Sequence, residues 1–142
     1  MTTGTVKTCT VLVIARQSRL RDGLQAVLRA APWVDDVVCA EGQTAVTLLG
    51  FPEMPMPALT ILDIEALRDA TLREWPGWCT RAGQTQLIVL VGTAQQRPQA
   101  DALGAEAILL KGFSTETLYQ TMERLLKAGS HTPRPSTAVD GR

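Results

Sequence analysis

Residues 86–111 read QLIVLVGTAQQRPQADALGAEAILLK. Gln86 to Val91 is a continuous apolar run rich in β-branched side chains, the composition of a strand covered on both faces. A Gly-Thr-Ala turn follows, Arg97–Leu103 supplies about two helical turns, Gly104 ends them, and Ala107–Leu110 is a second apolar run that stops at Lys111. A helix between two apolar strands is a crossover, and a crossover makes the strands parallel.

The same pattern extends through the rest of the chain. Cys9–Ala15 (CTVLVIA) predicts a first strand. Ser18 can cap a helix with Leu20, Leu24, Val27, Leu28 and Ala31 at intervals of three and four, stopped by Pro32. A second strand is expected over Val34–Ala40 and a weaker helix over Gln43–Leu49, closed by Gly50 and the proline-rich FPEMPMP. Ala58–Leu62 is the third strand, ending on Asp63. Pro76 and Gly77 split or shorten the helix expected between Ile64 and Thr85. In the last helix Ser114 is the cap, Phe113 and Leu118 form a hydrophobic staple, and Leu118, Met122, Leu125 and Leu126 share one face until Gly129.

Five strands alternating with helical segments predict an α/β fold: a flavodoxin-like, doubly wound (βα)5 three-layer sandwich with a parallel sheet. The expected divisions are an N-terminal extension over 1–8, one domain over 9–129 and a disordered tail over 130–142. At 142 residues there is room for one domain. Fourteen Lys and Arg balance fourteen Asp and Glu, so no overall field draws the chain to nucleic acid or an anionic membrane. The arginines near the first helix are offset by Asp22, Asp35 and Asp36, and a solvated mixed face is expected there. No apolar stretch approaches the roughly 20 residues of a membrane span. Met1–Thr8 has no signal-peptide pattern, so a cytoplasmic location is expected. Cys9, Cys39 and Cys79 lie far apart beside a single His131, which supports neither disulfides nor a zinc site. Trp33, Trp75 and Trp78 read as partly buried packing.

In such a sandwich, chemistry gathers at the carboxyl ends of the strands. There stand Arg16 and Gln17, Asp63, Gly92 and Thr93, and Lys111. Together with VLVIARQSRLRDGLQAVLRAAP, LTILDIE, LGAEAILLKG and FSTETLYQTMERLL, this set resembles the receiver domain of two-component response regulators, the CheY-like fold, over about Cys9–Gly129. The likeness is closest to receivers that precede helix-turn-helix regulators. It implies the sheet order 2-1-3-4-5. It also implies Asp63 as the phosphoacceptor equivalent and Lys111 as the lysine that pairs with it. Thr93 is the candidate hydroxyl, with Val91 as the alternative register.

The resemblance breaks where the family holds Mg²⁺. Arg16 and Gln17 replace the acidic pair, and Asp63 alone is a poor ligand set for a cation that is bound through carboxylates, phosphate and water. No cofactor and no metal site are expected. Arg16 is instead placed to pair with Asp63; at about 4 Å and an effective dielectric of about 20 the attraction is about 4 kcal/mol before desolvation. The bland alternative is that Asp63 merely caps the following helix and Lys111 is a solvated charge. Ile108 stands where many receivers carry a switching aromatic, and reads as core.

These features predict a pseudo-receiver, not an enzyme, that acts through protein contacts. Its partners would be a histidine kinase or a regulator, or a second copy in a homodimer. The expected interface is formed by the short helix after Thr93 and the last helix, with Tyr119 and Arg124 as exposed test positions. The alternatives are a receiver phosphorylated on Asp63 by a histidine kinase, and a flavodoxin-like anion or small-ligand binder using Arg16 and Lys111.

Overall fold

The computed structural model describes residues 9–41, 57–67 and 86–130. Five strands run β1 (Cys9–Ile14), β2 (Val34–Ala40), β3 (Leu59–Asp63), β4 (Gln86–Val91) and β5 (Ala107–Leu110). All neighbouring pairs are parallel, and the order is β2-β1-β3-β4-β5. Val13, Ile61, Ile88 and Ala107 form one row across four strands.

Alternation along each strand divides the core into two layers. Val11, Val13, Ile61, Ile88 and Leu90 face helices α1 (Arg19–Ala30) and α3 (Thr115–Ser130), meeting Leu24, Leu28, Leu118, Met122 and Leu125. Leu12, Ile14, Leu62, Val89 and Val91 face the other way, toward Ala100 of helix α2 (Arg97–Ala102) and Leu103 just after it. Burial of each such leucine is worth about 1.5–3 kcal/mol. The result is the three-layer sandwich expected from the apolar runs.

Local signals act where the sequence places them. Ser18 Oγ accepts from Arg21 N–H at 3.3 Å, which starts α1, and Ala31 closes it before Pro32. Ser114 Oγ accepts from Thr117 N–H at 3.0 Å, and Phe113 joins the same apolar cluster as Leu118. Helix α3 runs one residue past Gly129 to Ser130. A short 3-10 turn, Ala94–Gln96, leads into α2, which is only six residues long. Gly112, with φ of 99°, makes the left-handed turn between β5 and α3 that an L side chain resists. Ile108 is half-buried against the α2-side core, consistent with a packing role. The extension 1–8, the helix expected over 43–49, the split segment with Trp75, Trp78 and Cys79, and the tail after Ser130 lie outside the described residues. Among the described residues no helix is long and apolar enough to cross a membrane.

Candidate functional site at the carboxyl ends of the strands

The sheet reverses direction of growth between β1 and β3, so the crevice beyond their carboxyl ends is where this architecture places ligands. Asp63 is the last residue of β3 and pairs with Leu90 of β4. Lys111 extends β5 by one bond, donating its N–H to the Val91 carbonyl at 2.8 Å. Because β4 lies between them, the two side chains reach toward each other across its end.

They meet. Lys111 Nζ stands 3.0 Å from Asp63 Oδ1 in a mostly buried pair. The same ammonium is 3.1 Å from Glu65 Oε1. Glu65 reaches it because Ile64–Ala66 forms a 3-10 turn, capped by Asp63 itself through the Glu65 N–H to Oδ1 at 3.0 Å. Capping and ion pairing therefore coexist on one oxygen, and Oδ2 takes part in neither contact.

Burial alone would lower the Lys111 pKa, but hydrogen bonds and charge from Asp63 and Glu65 outweigh it and leave the ammonium above its ordinary value. Glu65 is pulled below the usual carboxylate value, first by its hydrogen bond to Lys111 and then by that residue's charge, with smaller help from Gln96 and Arg16. The Cys9 and Cys39 thiols are both raised, chiefly by burial, which disfavours the thiolate form.

The expected pairing of Arg16 with Asp63 is not made. Arg16 is exposed, the ion pairs among the described residues both belong to Lys111, and the charge of Arg16 acts on Glu65. Lys111 takes that place although β1, not β5, is the direct neighbour of β3, and the Arg16 side chain is exposed. Gln17 is likewise exposed. Half-buried Arg21 was not anticipated here; its Nη1 donates to the Ala15 carbonyl at 3.2 Å and braces the exit of β1.

At this edge Val91 is buried and carries no polar side-chain atom, and Thr93 bears the hydroxyl. Thr93 is exposed and opens the 3-10 turn before α2. Its N–H and that of Gly92 both donate to Gln96 Oε1, at 3.3 and 2.6 Å. Glu65 and Gln96 were not among the predicted site residues, whereas Gly92 was placed in the strand-end set.

Two interface candidates separate. Arg124 is exposed on α3 as expected. Tyr119 is not: its hydroxyl donates to the Val27 carbonyl at 2.6 Å, and its ring meets Trp33 edge to face at 5.5 Å. It ties α3 to the end of α1, and the expectation of an exposed tyrosine is corrected.

A comparison of folds agrees with this architecture. The chain is similar to a CheY-like receiver domain protein from Methanospirillum hungatei JF-1, at 14% identity and a TM-score of 0.72, over 87% of this chain and 97% of that one. It is similar to the receiver domain of a putative Luxo repressor protein from Vibrio parahaemolyticus, at 21% identity and 0.66, over 86% and 92%. The phosphorylated cyanobacterial phytochrome response regulator RcpA matches at 16% identity and 0.67, over 89% and 99%. The fold is that of a response-regulator receiver domain. No protein-family model and no curated protein sequence matches the chain.

A receiver's Mg²⁺ does not suit this donor set. Arg16 and Gln17, which the resemblance sets at the family's acidic positions, carry no carboxylate, the Glu65 carboxylate is engaged by Lys111, and no three His, Cys, Asp or Glu side chains converge among the described residues. A cation at Asp63 would meet the Lys111 ammonium at its nearest oxygen.

Proposed function

We propose that the chain is a cytoplasmic pseudo-receiver: a non-enzymatic signalling module that works by protein contact, without Mg²⁺-dependent phosphorylation of Asp63. The carrying observation is the Lys111 ammonium shared between Asp63 and Glu65 where Arg16 and Gln17 stand in place of an acidic pair. Phosphoryl transfer relies on metal cations to neutralise charge on the transferred oxygens. Here the ammonium in contact with Asp63 is already matched by two carboxylates, so an incoming phosphoryl group adds charge that no second ion-paired cation among the described residues offsets.

The partner is a protein such as a histidine kinase or a regulator, or a second copy of the chain. Support for a surface made by α2, β5 and α3 comes from Leu110, the exposed large apolar side chain among the described residues, at the end of edge strand β5. The rival, phosphorylation by a histidine kinase, draws on Asp63 Oδ2, which neither internal contact uses. An anion held between Arg16 and Lys111 is less favoured, because Lys111 is already committed.

Incubation with acetyl phosphate and Mg²⁺, followed at once by intact mass measurement, tests the reading. The mass stays unchanged, and millimolar Mg²⁺ gives no saturable rise in thermal stability. A phosphate-sized addition on Asp63 overturns the reading in favour of the rival. Arg16→Asp combined with Gln17→Asp restores the missing carboxylates and creates Mg²⁺ affinity.

A further inference from the structure

Helices α1 and α3 pack on the same face of the sheet, and a groove of about 300 Å³ opens between α1 and the start of α3. Its walls are apolar: Leu20 and Val27 come from α1, Phe113 from the turn after β5, and Leu118 from α3. Leu20, Val27 and Phe113 remain half-buried there. Small-molecule sites have volumes of about 300–1,000 Å³ and pair mostly apolar walls with a few polar groups, so the groove is of ligand size.

Glycine keeps it open. Gly23 lies inside α1, where glycine is less stable than alanine, and a Cβ at that position would meet nothing within 4 Å. No described side chain needs the missing methyl group's space, which is left to the groove. Arg19 is the one charged residue of the lining. It is exposed, makes no ion pair among the described residues, and as the first residue of α1 adds to the positive end of that helix instead of offsetting it. Asp22 stands in the same turn of α1, but neither it nor any other carboxylate lines the groove.

We propose that this groove binds a small amphiphile, a medium-chain carboxylic acid, with its apolar body against Leu20, Val27, Phe113 and Leu118 and its carboxylate paired with the Arg19 guanidinium. A protein partner covers roughly 800 Å² on each side and would draw on surface well beyond the groove, whereas a single chain of this kind matches its size and its one charge. The lining shares no residue with the cluster of Asp63, Glu65 and Lys111, so the proposal stands whether or not Asp63 accepts a phosphoryl group.

Octanoate is the probe, titrated into the full chain while the amide NMR signals of Gly23, Gly112 and Leu118 are followed. They shift saturably at millimolar concentration or below. Octan-1-ol, with the same chain and no charge, binds about fivefold more weakly, the scale of a solvent-exposed ion pair, and acetate does not bind. Arg19→Gln brings octanoate to the level of octanol and leaves octanol unchanged. Gly23→Leu fills the groove with a strong helix former, so binding of both is lost while the melting temperature rises by about 2–4 °C. The proposal is overturned by the absence of a saturable octanoate shift, by equal binding of octanoate and octanol, by an Arg19→Gln variant that weakens both alike, or by a Gly23→Leu variant that binds as the wild type does. Movement of the same signals with protein concentration alone assigns the groove to a second copy and overturns it too.

Discussion

Lys111 Nζ and Asp63 Oδ1, 3.0 Å apart, join the ends of β5 and β3 across the end of β4. The contact is mostly buried on the Asp63 side and partly open on the lysine side, so it lies between a surface ion pair and a core one. Asp63 Oδ1 also caps the turn that brings Glu65 back to the same ammonium. One strand-end carboxylate thus organises both the turn and the charge cluster.

Replacing Lys111 by Met leaves Asp63 and Glu65 facing each other with no cation between them. The expected cost is about 1–3 kcal/mol, from the loss of a charged hydrogen bond and the stranding of a mostly buried carboxylate. Asp63→Asn is expected to cost less, because the amide oxygen still accepts from the Glu65 N–H. Urea midpoints at neutral pH measure both; equal or reversed costs would contradict the shared-ammonium geometry.

The pH dependence follows from the two shifts. Glu65 has a lowered folded pKa, so its stabilisation is complete above its unfolded value and is lost as pH falls through the folded one. Lys111 has a raised folded pKa, so its contribution is complete below its unfolded value and is lost as pH rises through the folded one. The stability difference between wild type and Lys111→Met should therefore form a plateau that narrows at both ends. It decreases below about pH 4 and above about pH 10.4, the ordinary carboxylate and lysine values. Glu65 is exposed enough that its share is small and screened by salt. Denaturation curves of the two proteins across that range supply the check.

Much of this fold is legible in the sequence because its strands are apolar runs that end abruptly. Val34–Ala40, Gln86–Val91 and Ala107–Leu110 coincide with β2, β4 and β5, and Ser18 and Ser114 cap the helices they precede. Asp63 and Lys111 were legible for the same reason: each is a charge closing an apolar strand. Glu65 was not, since a residue two positions past a strand end returns to the site only if the turn is 3-10, and no periodicity announces so short an element. Gln96 was hidden likewise, its role depending on where the Gly92 and Thr93 amides point. Arg16 was misread because proximity in the strand-end set does not fix the direction of a long side chain.

Tyr119 carries a separate lesson and a separate test. A tyrosine beside the apolar face of a helix has the spacing of a boundary residue, and its partner, the Val27 carbonyl, is 92 residues away in sequence. Tyr119→Phe removes the hydroxyl from a partly buried carbonyl and should destabilise by about 0.5–1.5 kcal/mol without changing association. Tyr119→Ala should cost more, since the edge-to-face contact with Trp33 is lost as well. An effect of Tyr119→Phe on oligomeric state but not on stability would return this residue to the interface.

Association itself is best probed at Leu110 and Arg124. Leu110 is half exposed at the end of the edge strand, and Arg124 is exposed on α3. An exposed large apolar side chain at a sheet edge is a candidate interface centre, for which a polar rim is expected. Two-fold pairing, the commonest symmetry for identical chains, would bring each Leu110 against the same surface of the other copy. If that face mediates a homodimer, Leu110→Asp buries an unpaired charge and Arg124→Glu reverses one at the rim. Sedimentation should then show weaker association, strongly for the first and modestly for the second, with wild-type stability in both. Monomeric wild type at high concentration, or a dimer indifferent to both substitutions, would remove this face from consideration and turn attention to the arginines of α1.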